Sequence, residues 1–150
     1  MKSRRITGSA ENGFVIVFDP GDEVVGTLAK FAAQEKISGA FFYGLGAFER
    51  VTLAFFDLQK NEYEHIPINE QVEVISLVGN IAIYKGEAKV HAHVVVGKRD
   101  GSAHGGHLIE AFVRPTLEVY FSILPVTLER ELDETTNLPL INLIQSEIGE

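Results

Sequence analysis

The chain contains no cysteine. That absence excludes disulfide staples, thiolate zinc sites, iron–sulfur clusters and cysteine nucleophiles together, so a bound metal must use nitrogen or oxygen donors. Long apolar runs are missing as well: stretches such as 94–96 and the interrupted 117–124 fall far short of the roughly 20 residues that span a bilayer. The basic start MKSRR leads into polar ITGSAENG and not into an apolar segment, so no secretory signal is expected and the reading is cytoplasmic. Positive charge is scarce, with 13 Lys plus Arg against 21 Asp plus Glu and a net charge of −8. Such a field repels polyanions and disfavours nucleic acid as a direct partner, the one dense basic run being Lys2, Arg4 and Arg5. Familiar nucleotide and hydrolase motifs are incomplete. GDEVVGT has the glycine spacing of a phosphate loop without its lysine, Gly44-Leu45-Gly46 lacks the third glycine of the dinucleotide fingerprint, and no serine sits in a nucleophile elbow.

What is present fits one ordinary domain over residues 1–150, with 45% hydrophobic residues to fill a core. Residues 4–9 and 13–18 read as a hairpin around Glu11, Asn12 and Gly13. Asp22 is the expected N-cap of a helix running to about Lys36, whose Val24, Val25, Leu28, Phe31 and Ala32 share one face. Beyond Ile37 the helical period gives way to β-type segments at 40–44, 50–58, 62–68, 72–84, 88–96, 107–113 and 117–124. The expected class is α+β, a curved, mostly antiparallel sheet packed with one main helix. Sheet surface that one helix leaves bare favours oligomers. After Pro125 the run Glu129, Glu131, Asp133 and Glu134 reads as a solvated loop, with 138–144 as a candidate last strand.

Four of the five histidines fall within HAHVVVGKRDGSAHGGH, which starts at His91 and ends at His107. Strand alternation places His91 and His93 on one face, with Val90, Ala92, Val94 and Val96 on the other as the core side. A turn at 97–101 returns the chain antiparallel and brings His107 back toward the pair, while Gly105 and Gly106 offer no side chains to block an ion. Three neutral imidazoles suit zinc, and also other divalent transition metals, with one coordination position open. His104 is read as a loop-tip residue and His65 as a plain surface residue. Glu118 and Tyr120 alternate against Leu117, Val119 and Phe121 and are candidates to orient a histidine, whereas an odd offset sends Glu110 to the face opposite His107.

HAHVVVGKRDGSAHGGHL, supported by GLGAFERVTLAFFD and by the EVYF strand, resembles the plant and prokaryote conserved (PPC) domain in its stand-alone prokaryotic form, over nearly the whole chain. The resemblance implies a compact α+β fold, a homotrimer, and a histidine-lined metal site onto which His91, His93 and His107 map. Plant relatives carry an AT-hook with an Arg-Gly-Arg-Pro core ahead of the domain; here the nearest fragment, Val113-Arg114-Pro115, reads as a strand boundary. Three functions follow as expectations: a trimeric metal protein that binds or transforms a small ligand, a DNA-binding or transcription-associated protein, and an interaction scaffold with a structural metal. No catalytic residue is assigned.

Overall fold

The computed structural model describes residues 1–7 and 12–148, with side chains for 1–6 and 12–144. Among these, nine strands and one helix follow in the order β1 (Lys2–Thr7), β2 (Asn12–Phe18), α1 (Val24–Gln34), β3 (Gly39–Asp57), β4 (Glu62–Ile68), β5 (Val72–Tyr84), β6 (Glu87–Gly97), β7 (Ala103–Ile123), β8 (Val126–Leu132) and β9 (Pro139–Ile148). The sheet is mostly antiparallel, β5 with β8 being the parallel pair. One helix of 11 residues makes the α contribution small. No helix among the described residues is long and apolar enough to cross a membrane.

The strands expected at 40–44 and 50–58 are two halves of β3, and those at 107–113 and 117–124 are two halves of β7. Register shifts absorb the residues that read as breaks. The β3–β7 ladder passes from Gly46↔Leu117 to Phe48↔Val113, leaving Arg114, Pro115 and Thr116 without partners on β3, so proline costs no ladder bond there. Val113-Arg114-Pro115 is therefore strand interior and not a boundary. Gly46 is required at this point because a Cβ on it would lie 2.3 Å from the Thr116 carbonyl oxygen.

The length of β3 and β7 lets each serve two neighbourhoods. β3 pairs with β5, β5 with β6, β6 with β7, and β7 with β3, a closed circuit of strands. Inside lie Leu53, Leu77, Val94, Val96, Leu108 and Val113, all buried. Helix α1 packs against β6 and β7. Of the five residues the spacing puts on one face, Val24, Leu28, Phe31 and Ala32 are buried and Val25 is partly buried against the core, and the ring of Phe31 meets Phe14 and Phe121 edge-on, with centroids at 4.9 and 5.9 Å.

Three local expectations are corrected. The N-cap is Glu23, whose carboxylate accepts from the Val25 and Gly26 amides, while Asp22 accepts from the Asp19 amide and so closes the preceding turn. Asn12 and Gly13 open β2, and Glu11 lies outside the described residues. Glu129 and Glu131 belong to β8 and not to a loop; β8 and β9 form a hairpin whose turn is held by Asp133 accepting from the Thr136 amide and hydroxyl.

Candidate metal centre

The sequence from Glu87 to Ile123 builds the site as one hairpin. Ala92, Val94 and Val96 are buried on the inner face of β6, which forces the odd-numbered residues outward. The turn is held by the Lys98 amide donating to the Ser102 carbonyl and by Asp100, which accepts from the Ser102 amide and hydroxyl. Tight closure sets the register from Gly97↔Ala103 beside the turn to His93↔His107 at the far end of the ladder. A row of residues sharing one face then runs across the strands as Tyr43, Val78, His93, His107, Ala54 and His65, with Ala54 buried among them.

The structure brings His91, His93 and His107 together. Their ring centroids are 5.1 to 5.4 Å apart, and one donor nitrogen from each lies within 4.8 Å of the other two. Burial, with added repulsion from His91, His93 and Lys89, pushes His107 down to about 4. Burial, followed by the charges of Arg130, His93 and Lys89, lowers His91 as well. Both rings are thus neutral at pH 7 and keep a lone pair for an ion. The buried Nδ1 of His107 has no hydrogen-bond partner. A neutral ring with an orphaned buried nitrogen, packed among two others, has the donor chemistry that an imidazole-ligated divalent metal requires. The residues fit such an ion.

The other candidates separate from the cluster. His104 is exposed, opposite Val96, and three residues from His107, so alternation turns it away. His65 lies beyond Ala54 on the row, two strands from His107. Glu118 and Tyr120 face outward as expected, but β3 and β5 intervene before β6, about 14 Å at roughly 4.8 Å per strand, too far to orient a histidine. Glu110 is corrected. The ladder steps from Leu53↔Leu108 to Thr52↔Glu110, so one extra residue on β7 turns Glu110 back to the face of His107, where the Thr52 hydroxyl donates to it at 3.4 Å. Gly105 and Gly106 both line the pocket over the histidines, and a Cβ on Gly106 would in addition lie 2.7 Å from the Ala54 carbonyl oxygen, so Gly106 also serves the close approach of β7 to β3.

An open pocket of about 640 Å³ lies over the histidines, walled by Ala54, Tyr63, Val78, Val95 and Leu138 among others. Sequence reading missed Tyr63, whose ring stacks obliquely on His107 at 4.8 Å. The signal available was parity, since Tyr63 shares its strand face with His65. It also missed Arg130, buried at 7% exposure, which donates to Asn80 Oδ1 at 2.6 Å and to the Pro139 carbonyl at 2.7 Å. Asn80 in turn is the ladder partner of His91.

Comparison with known proteins agrees with this architecture. The Plants and Prokaryotes Conserved (PCC) domain model matches residues 5–125. A plant- and prokaryote-conserved (PPC) protein from Pyrococcus horikoshii is 28% identical and superposes with a TM-score of 0.81, over 91% of this chain and 97% of its own. A metal-containing protein from Archaeoglobus fulgidus is 32% identical, with a TM-score of 0.80 over 95% of this chain and 99% of its own. A protein from Ralstonia eutropha, provisionally named DNA-binding, is 26% identical, with a TM-score of 0.83 over 91% and 94%. No curated protein matches the chain.

Proposed function

The chain belongs to the Plants and Prokaryotes Conserved domain family, and from that premise we propose that it is a homotrimeric metal-binding protein that holds zinc on His91, His93 and His107 and receives a small ligand beside it. The observation that carries this reading is the convergence of three imidazole donors within 4.8 Å. The metal-containing relative from Archaeoglobus fulgidus supports it. A zinc ion on three imidazoles supplies Lewis acidity. This chain's own contribution is to keep two of those rings neutral by burial, to back His107 with Tyr63, and to leave a pocket of about 640 Å³ open to a ligand. That pocket favours a ligand site over a purely structural metal.

Elemental analysis after zinc loading and dialysis tests the metal. About one ion per chain is expected for the wild type and none for a His91→Ala, His93→Ala double variant. Full stoichiometry in the variant rejects the site.

Trimer formation draws support from the outer sheet face, where Phe41, Tyr43, Leu45, Ile75 and Val78 are 48% to 58% exposed. So many large apolar side chains on one face of a monomer mark a contact surface, here for further copies of the chain. Sedimentation equilibrium is expected to give three chains for the wild type and one for Tyr43→Glu, Leu45→Glu. The DNA-binding name of the Ralstonia relative is not carried over, because a net charge of −8 opposes a polyanion.

A further inference from the structure

Next to the histidines lies a second, smaller cavity of about 130 Å³, bounded by His91, His107, Tyr63, Lys89 and Arg130 and by the apolar Val90, Leu138, Pro139 and Leu140. At about 30 Å³ per water molecule it holds some four waters, or an organic molecule of five or six heavy atoms. Among the described residues no carboxylate lines it. Arg130 is over nine-tenths buried, its two terminal nitrogens are committed to the neutral acceptors Asn80 Oδ1 and Pro139 O, and its Nε has no acceptor. None of the ion pairs among the described residues includes it. A buried guanidinium with no counter-charge is costly, and an anion that sits beside it relieves that cost. Lys89 adds a second positive charge to the same cavity wall.

We infer that this cavity is a subsite for a small organic carboxylate, its carboxyl group drawn by the uncompensated charge of Arg130 together with Lys89 and its hydrocarbon part seated against Val90, Leu138 and Leu140. Charge alone would admit phosphate equally. The apolar wall makes the difference, since it rewards a short alkyl chain and leaves phosphate oxygens without donors on that side. Because His91 and His107 border both cavities, a molecule seated here presents its far end to the three-histidine pocket. Arg130 lies beyond residues 5–125, the part of the chain matched by the domain model, and comes from the β8–β9 hairpin, whereas Tyr63, Lys89, His91 and His107 lie within the matched part.

The inference rests on reading the histidine pocket as a ligand site, and the test separates the two. Butyrate and inorganic phosphate are titrated by calorimetry, each at constant ionic strength held with chloride, into metal-free and zinc-loaded protein. The expected result is saturable one-to-one butyrate binding to the metal-free wild type, weakened at least tenfold by Arg130→Gln and by a smaller factor in Lys89→Met, whose exposed position spares the fold. Zinc stoichiometry stays unchanged in both variants. Absence of saturable butyrate binding, affinity unchanged in Lys89→Met and in folded Arg130→Gln, or phosphate binding more tightly than butyrate overturns the subsite. Butyrate binding to a protein that takes up no zinc upholds the subsite and rejects the metal.

Discussion

Two hairpins meet at the candidate site and are built on opposite terms. The β6–β7 hairpin places Ala92, Val94, Val96 and Leu108 in the core and is paired on both flanks, so its outward histidines stand on a fixed frame. The β8–β9 hairpin leaves Leu132, Leu140, Leu143 and Ile144 exposed and contributes Arg130 as its one buried residue among those described. Among its contacts with the rest of the sheet are the parallel pairing Ile83↔Glu129, the Leu128 amide donating to the Ser38 carbonyl at 3.0 Å, Ser38 hydroxyl to Thr127 hydroxyl at 2.9 Å, the Asn61 side-chain amide donating to the Thr135 carbonyl at 3.1 Å, and the hydrogen bond of Arg130 to Asn80. Hydrophobic burial thus fixes the donor set, while polar contacts seat the cover.

The comparison breaks if the two hairpins contribute alike to stability. Leu108→Ala is expected to cost about 2–5 kcal/mol in urea unfolding, because it opens a cavity in the core. Leu143→Ala, at 77% exposure, stays within about 0.5 kcal/mol. Similar losses for both would show that β9 is packed like β6. Next in size is Gly106→Ala. Its Cβ meets backbone that can yield only by strand movement, with an expected cost of about 1–3 kcal/mol and a lower Tm in calorimetry.

A smaller effect concerns pH. His107 titrates near 6.5 in the unfolded chain and near 4 in the folded one, so between those values the unfolded state binds more protons. The metal-free protein therefore holds this contribution in full above about pH 6.5 and loses it progressively toward pH 4, with no further loss from this group below. His91 acts in the same direction. Partial exposure of the site screens both. The difference in unfolding free energy between wild type and His107→Gln, followed from pH 7.5 to 3.5, isolates the His107 part; a flat difference contradicts it. Smallest of all is the expected response to DNA, no gel shift even at low salt.

How much of this was legible follows from the kind of signal each residue carries. Alternation along 88–96 and the three-to-four spacing of Val24, Leu28, Phe31 and Ala32 are local, and both led to the observed faces. The joins inside β3 and β7 were not legible. Gly46 and Pro115 are ordinarily breakers, and only the neighbouring strand shows that a register shift has made room for them. Glu110 failed for the same reason, since a bulge changes parity without a mark in the sequence. Arg130 carries no local mark in the sequence, which offers only Glu129 and Glu131 on either side of it. Its burial depends on Asn80, fifty residues earlier, and on Pro139 across the hairpin.

The closed circuit of β3, β5, β6 and β7 has a kinetic meaning as well. Neither His93 nor His107 lies on a strand with a free edge at its own position, for β5 and β7 flank the first and β6 and β3 the second. Their amide protons can reach solvent deuterium only when the circuit itself comes apart, so their exchange should follow the opening of the whole molecule, while the last hairpin exchanges through local fluctuations. The backbone under two of the three donors then has a lifetime equal to that of the native state. Faster exchange in β8 and β9 than at His93 and His107 is the expected signature of a cover that opens on its own, and equal rates would contradict it.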